Sequence, residues 1–453
     1  MLFCDGLTLS ALLAIAVTAR HLITPTYSAS AFFDLSPGVA LMLGAFWLQG
    51  LYPGALLHPA EEMRRTFTAI TLVFLVMASA SFLWRNAEAY SRAVFIVSWF
   101  AAAPTVLLTR RLARVAFARK QWWGTTAMVL GTGPVAQRVV RGLQNGKRGI
   151  RVVGVLTDEP GAPWPEDLPP LLGGITLAPS LARAGAARYA IVAVPSRSNF
   201  EISRLIQDHC NGFGHVLLIP DLPGLCSLDV AAREVGGEVG FELPQRLFHQ
   251  GAAFTKRLLD LSIGVLAILA LLPVFLAIAA AIKLTSDGPI LFGHVRKGRT
   301  GAAFTALKFR TMLPDASRIL ADHLDNYPED RFEWQRDHKL KNDPRVTPVG
   351  RWLRRFSLDE LPQLFNVLSG EMSLVGPRPI VEAEVARYGS GYDLYTRVRP
   401  GITGLWQVSG RNNTTYEARV AFDEYYVRNW SVWIDTYILI RTVKVVLTAE
   451  GAY

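Results

Sequence analysis

The run from Arg354 to Pro379, RRFSLDELPQLFNVLSGEMSLVGPRP, sets an acidic pair, Asp359-Glu360, between basic residues on both sides. Arg354, Arg355 and Arg378 flank the pair, and Lys308 and Arg310 in LKFRTM add further cations. Such a supply suits a pyrophosphate or a metal-bound phosphate. A carboxylate among so many cations is expected to stay ionised and nucleophilic. Ser357 reads as an N-cap with Glu360 three residues on, so a capping box should open a short helix with the acidic pair in its first turn. The same residues also fit an ordinary helix start with a solvated acidic pair, and local sequence does not choose between the two.

The elements that must hold this run belong to a chain of 453 residues, 51% of them hydrophobic, which points to about three domains and to a membrane protein. The formal charge of +10 fits nucleic acid, or else anionic phosphates and lipid headgroups. No nucleic-acid motif accompanies it, so nucleic acid is set aside. Cys4, Cys210 and Cys226 show no metal-like or CxxC spacing. The N-terminus has neither a basic n-region nor a clear cleavage site, so the first apolar run is expected to remain.

Four apolar runs open the chain, at about Leu7–Ile23, Val39–Leu57, Phe67–Trp84 and Ala93–Leu108, and predict four transmembrane helices within residues 1–110. The basic segments Arg64-Arg65 and RRLARVAFARK, with Arg110, Arg111 and Arg114, place both termini of the bundle on the cytoplasmic side. Over residues 125–245 the pattern is that of an α/β Rossmann-like domain. Its turn Gly131-Thr-Gly133-Pro-Val-Ala136 approximates a phosphate-binding fingerprint, but Pro134 follows the second glycine and Asp158 lies beyond the usual ribose-binding offset. Nucleotide binding and a ligand-free structural module both fit. A fifth apolar run, Leu261–Ile282, is long enough to span a bilayer, but Pro273 at its middle and basic residues on both flanks fit a helix that enters the membrane and returns, with a fifth spanning helix as the alternative. His323 and His338 have no metal-ligand neighbours at good spacing. The last run, from Trp430, either lies in the membrane interface or packs on the core.

The strings KFRTM at 308–312, DPRVTPVGRWLRRFSLDELPQLFNVLSGEMSLVGPRP at 343–379 and RPGITGLWQVSGRN at 399–412 resemble the bacterial sugar transferases, the monotopic polyprenyl-phosphate phosphoglycosyl transferases. The resemblance covers about residues 254–453, and the ending looks most like the undecaprenyl-phosphate galactose phosphotransferases. It implies a mainly α catalytic domain over residues 251–453 with a re-entrant helix at about 258–282, behind four spanning helices and a Rossmann-like insert. The family usually carries Ser-Pro at the helix break, where this chain has Leu272-Pro273.

The implied substrates are a UDP-sugar and undecaprenyl phosphate, meeting at the cytoplasmic face of the bacterial inner membrane among its lipids; a homodimer is compatible with this. By the same resemblance Asp359 is the nucleophile, and Asp359 and Glu360 hold Mg2+. Arg354 and Arg378 clamp phosphate with Lys308 and Arg310 beside them, while Gln407, Arg411 and Asn412 face the nucleotide sugar. Galactose-1-phosphate is preferred, with glucose-1-phosphate as the alternative. Two rivals stand against this reading. A nicotinamide-dependent epimerase or dehydratase would want a Tyr-xxx-Lys pair, and no tyrosine here has lysine four positions later. The other is a non-enzymatic scaffold for polysaccharide assembly.

Overall fold

The computed structural model describes residues 1–24, 31–83, 91–118, 120, 122–144, 149–159, 161, 164–194, 199–220, 231–235, 238–242, 247, 250–337, 340, 343–409 and 415–448. The chain divides into two compact units, Met1–Pro223 and Gly224–Tyr453.

The first unit opens with helices α1 (Leu2–Ile23), α2 (Ala31–Leu35), α3 (Pro37–Leu48), α4 (Pro59–Leu83) and α5 (Arg92–Phe117). They pack around Leu9, Met42, Phe46, Ile70, Phe74, Ala102 and Val106. Ile15, Leu75, Val76, Phe100 and Leu112 stay more than half exposed on the outside, a surface that only lipid or another apolar body satisfies. The helices α1, α4 and α5, and in the second unit the helix over Gly251–Thr285, are long and apolar enough to cross a membrane, and the chain is a membrane protein.

The second apolar run behaves differently from expectation. Its helical part ends at Leu48 with α3, within a shorter apolar stretch, Phe32–Leu48. Gly50 at φ 68° takes the left-handed conformation just past the last turn, and Pro53 and Gly54 follow, so the remaining apolar residues to Leu57 form turns rather than helix. The basic residues after the fourth run belong largely to a helix. Helix α5 continues to Phe117, and within it Arg110 is buried with Nη2 2.7 Å from Asp5 Oδ2 and Nη1 3.2 Å from Glu62 Oε1. Arg114 donates to both oxygens of Glu62. These two arginines neutralise buried carboxylates of α1 and α4.

The same unit carries a parallel sheet of β1 (Thr125–Leu130), β2 (Ile150–Leu156), β3 (Leu171–Gly173), β4 (Tyr189–Val192) and β5 (His215–Leu218), with α6 (Pro134–Leu143), α7 (Ala178–Arg183) and α8 (Asn199–His209). Strand order is β3-β2-β1-β4-β5, the doubly wound order of a Rossmann-like fold. Alternation along β1 explains why both faces are covered. Ala127 and Val129 pack with Val135, Ala136 and Val140 of α6, whereas Met128 and Leu130 pack with Ala178 of α7 and Leu205 of α8. The fingerprint-like turn has structural employment throughout. A side chain at Gly131 (φ 115°) would collide with the Ala193 carbonyl, Pro134 sits at the first position of α6, and Asp158 Oδ1 accepts from the Ile175 backbone N–H at 2.9 Å.

The second unit begins with the antiparallel pair β6 (Ala231–Val235) and β7 (Glu238–Glu242), followed by α9 (Gln250–Thr285), whose helical assignment runs through Pro273. The hairpin β8 (Leu291–Lys297) and β9 (Ala303–Phe309) comes next, then α10 (Ala316–Asn326), α11 (Pro328–Asp337) and α12 (Pro348–Arg355). After a 3-10 turn at Leu358–Glu360 the chain forms α13 (Gln363–Ser369), β10 (Ser373–Val375), α14 (Val385–Tyr388), α15 (Gly391–Thr396), β11 (Gly401–Thr403), α16 (Leu405–Ser409), α17 (Tyr416–Asn429) and α18 (Val432–Thr448). Strands β10 and β11 pair in parallel.

Both flanks of α9 are fastened to this one unit. At its start Lys256 donates to Asp260 (3.1 Å) and to Asp435 of α18 (2.7 Å), and Arg257 donates to the Val367 and Leu368 carbonyls of α13. Beyond Pro273, Phe275 contacts the rings of Phe309 and Phe365, and past the helix end Ser286 accepts from Arg310. Helix α18 packs on the core through Ile434, Ile438 and Val445, with Asp435 buried among Lys256, Tyr426 and Trp430.

Candidate active site

Thr347 starts α12 as a true cap, its hydroxyl accepting from the Gly350 N–H at 2.9 Å with Pro348 at the first helical position. Any side chain at Gly350 would run into the Thr311 carbonyl, so glycine is what lets α12 lie directly against the residues that follow β9. Arg354 then reaches Thr311 Oγ1 with its Nε at 2.9 Å. The chain leaves α12 through Ser357, which adopts φ 54° and ψ 23° and makes no cap bond with its side chain. The expected capping box is therefore absent. A serine in this left-handed region costs about 1–2 kcal/mol, and here the step turns the chain into the short Leu358–Glu360 turn, packed against both α12 and β9. The acidic pair sits in that turn and not in the first turn of α13.

Lys308 on β9 meets the pair, with Nζ 2.7 Å from Glu360 Oε1 and 3.8 Å from Asp359 Oδ2. Arg378 Nη2 lies 3.9 Å from the same Glu360 oxygen. The two carboxyls respond in opposite directions. Burial alone would raise Glu360, but Lys308 and Arg378 outweigh it and hold the group down at about 2. Burial raises Asp359 above its ordinary value of 3.8; Lys308 offsets this in part and the neighbouring Glu360 adds to it. The pair is thus divided: Glu360 is held as an anion, and Asp359 is the more basic carboxylate of the two.

The other sequence-nominated residues divide. Arg310 is buried and spends Nη1 on the Asp287 carbonyl and Nη2 on Ser286, which ties the end of β9 to the end of α9. Gln407 is buried, with Nε2 donating to the Ile402 carbonyl at 3.0 Å and no partner for Oε1 among the described residues. Arg411, Asn412, His338 and Cys226 lie outside the described residues. His323 pairs with Asp330 at 2.6 Å.

Sequence reasoning missed two further positions. Asn366 of α13 accepts from the Leu307 N–H at 3.0 Å and donates to the Thr305 carbonyl at 2.8 Å, so one amide sets the strand that bears Lys308 beside the helix that follows the acidic pair. Arg296 of β8 donates to the Pro379 carbonyl at 3.3 Å, and its charge also bears on Glu360. It was counted only as a basic flank of the apolar run, and the alternation of Arg296 with exposed Val295 was the signal that it faces inward.

Among the described residues no cluster of three or more His, Cys, Asp or Glu could cage a metal. Asp359 and Glu360 nonetheless fit Mg2+, which takes one or two carboxylates and completes its shell from substrate phosphates and water.

Known proteins carry the same organisation. The sequence model of the bacterial sugar transferase family matches residues 251–449, and that of a CoA-binding domain matches residues 48–220. The undecaprenyl-phosphate galactose phosphotransferase of Salmonella typhimurium is 35% identical over 421 residues, covering 91% of this chain and 86% of the relative. This chain belongs to the bacterial sugar transferase family. As a sugar transferase it is an enzyme, which removes the scaffold reading. The exopolysaccharide production protein ExoY of Sinorhizobium fredii is 48% identical over 199 residues, which is 44% of this chain but 88% of that relative. The UDP-glucose:undecaprenyl-phosphate glucose-1-phosphate transferase of Escherichia coli is 35% identical over 67% of this sugar transferase and 64% of its own length.

Proposed function

We propose that this enzyme transfers a sugar-1-phosphate, galactose-1-phosphate by preference, from a UDP-sugar to undecaprenyl phosphate, releasing UMP. The observation that carries the reading is Lys308 held between Glu360 and Asp359 with Arg378 beside them. Phosphoryl transfer needs charge neutralisation, placement and a nucleophile, and this cluster supplies all of them.

In the first step an Asp359 carboxylate oxygen attacks the phosphorus that bears the sugar. The bond from that phosphorus to the bridging oxygen breaks, and UMP leaves with the oxygen and the bonding pair. In the second step an oxygen of the lipid phosphate attacks the same phosphorus, and Asp359 departs as its carboxylate. Lys308, Arg354 and Arg378 neutralise the phosphates, Glu360 keeps Lys308 in place, and Gln407, Arg411 and Asn412 serve the nucleotide sugar. Arg310 acts by anchoring the end of β9. Asp359 and Glu360 would hold Mg2+, which supplies charge neutralisation on the diphosphate.

The reaction belongs at the cytoplasmic face of the inner membrane, with α9 entering and leaving on that side. Polar anchors at both flanks of α9 support this, since Lys256 at its start and Ser286 past its end are held to residues of the same unit. The product begins an O-antigen, capsule or exopolysaccharide. Galactose rests on the Salmonella relative's match across nearly the whole chain. Glucose-1-phosphate, the substrate in the Escherichia coli relative's name, is the second reading. A UMP-release assay with undecaprenyl phosphate and a panel of UDP-sugars tests both: release fastest with UDP-galactose is expected, fastest with UDP-glucose shifts the preference, and no release with any sugar overturns the proposal.

A further inference from the structure

Arg419 of α17 is 7% exposed, and its guanidinium uses only one edge. Nη1 donates to Glu384 Oε1 at 3.0 Å, while Nε and Nη2 are buried without a hydrogen-bond partner among the described residues. Those two nitrogens form the lateral fork of the guanidinium, two parallel N–H groups spaced to take both oxygens of one oxyanion. Leaving a charged donor pair buried and unmade is costly, so a native fold that keeps one has a use for it.

The surroundings hold the fork rigidly. Its carbon lies 5.0 Å from the Trp406 ring centre, 5.1 Å from Tyr416 and 6.0 Å from Tyr388. The indole of Trp406 is shared: the Arg378 guanidinium stands 5.9 Å from the same ring, and Arg378 is the group beside Glu360. Glu384 likewise lies between Arg419 and Arg296, which is 3.9 Å from it. Gln407, next to Trp406 on α16, keeps a buried Oε1 without a partner among the described residues, so each of the two packed helices α16 and α17 presents a polar group unmet among them.

We propose that the lateral fork of Arg419 binds a phosphate group of one of the two substrates, a position apart from the one that Lys308 and Arg378 serve beside the acidic pair. The inference rests on the transfer reaction proposed above, in which two phosphate-bearing molecules use one site in turn. The shared chemistry is a phosphate oxyanion, and its source is either the phosphate that leaves with UMP or the phosphate of the lipid acceptor.

The test uses the full chain in lipid nanodiscs and the variant Arg419→Lys, which keeps the charge and the aromatic contacts but loses the fork. Three quantities are compared with wild type: the Kd for UMP by calorimetry, the KM for undecaprenyl phosphate, and the Tm. An increase of tenfold or more in the UMP Kd, at unchanged Tm, supports the proposal and assigns the fork to the nucleotide phosphate. A like increase in the lipid KM alone supports it and assigns the fork to the acceptor. Both constants within twofold of wild type overturn it, whatever happens to kcat, and so does a fall in Tm with unchanged binding. Should the Lys variant not fold, Arg419→Gln with the same readouts decides. A wild-type protein that neither turns over nor binds UMP sinks the transfer reading itself, and this inference with it.

Discussion

Lys308 stands 2.7 Å from Glu360 and 3.8 Å from Asp359, so a single ammonium serves two carboxylates unequally. Removing it as Lys308→Met leaves Glu360 without its closest counter-charge, and kcat/KM should fall by about 10²-fold or more. The pH dependence should move as well. Glu360 is depressed below its ordinary 4.5 to about 2, so its ion pairing contributes stability above pH 4.5 and loses it only as pH falls through about 2. In the Met variant that loss should begin at higher pH, read as an earlier acid transition in a Tm-against-pH series.

Asn366 predicts a second phenotype. Asn366→Ala leaves the Leu307 N–H and the Thr305 carbonyl without their partner, costing about 1–3 kcal/mol while the charged residues stay in the sequence. A lower Tm accompanied by reduced kcat, with the UMP Kd little changed, is expected. Wild-type kcat in this variant contradicts the positioning role.

What could and could not be read in advance follows the physics of each contact. The acidic pair, Lys308 and Arg378 were legible because phosphate chemistry demands charged side chains, and these sit in local strings. The Rossmann-like pattern over residues 125–245 was legible too, since short apolar strands separated by helical stretches mark a parallel sheet. Asn366 was not legible, since its amide meets a strand 59 residues earlier and an asparagine in a helix advertises nothing. The pairing of Arg110 was not legible either, because its partner Asp5 lies 105 residues away. Ser357 misled, as capping-box spacing says nothing about a left-handed backbone.

Lys256 gives a stability prediction. It is buried with Asp260 and Asp435, and Asp260 also receives the Ser373 hydroxyl and the Leu374 N–H. Lys256→Met strands two buried carboxylates, and a loss of about 3–5 kcal/mol is expected. A thermal shift within experimental error of zero would contradict the account of how α9 is anchored.

The membrane course of α9 is open to cysteine labelling after removal of Cys4, Cys210 and Cys226. Gly251→Cys and Arg299→Cys, both at exposed positions, should each resist a membrane-impermeant reagent in intact cells and react once the cells are opened. Labelling of the Arg299 position from outside establishes a spanning helix and removes the re-entrant course. Pro273→Ala should restore a helix hydrogen bond and lower activity by straightening α9.

The most direct measurement is a single-turnover experiment without the lipid acceptor. Wild-type enzyme mixed with UDP-galactose should release up to one UMP per active site and carry a hexose-phosphate adduct on Asp359, located by mass spectrometry of the peptide. Folded Asp359→Asn should show neither the burst nor the adduct, and its turnover with lipid should fall by about 10³-fold or more, the scale of losing a nucleophile. Adduct formation elsewhere, or near wild-type turnover by a folded Asp359→Ala protein, would contradict Asp359 as the nucleophile.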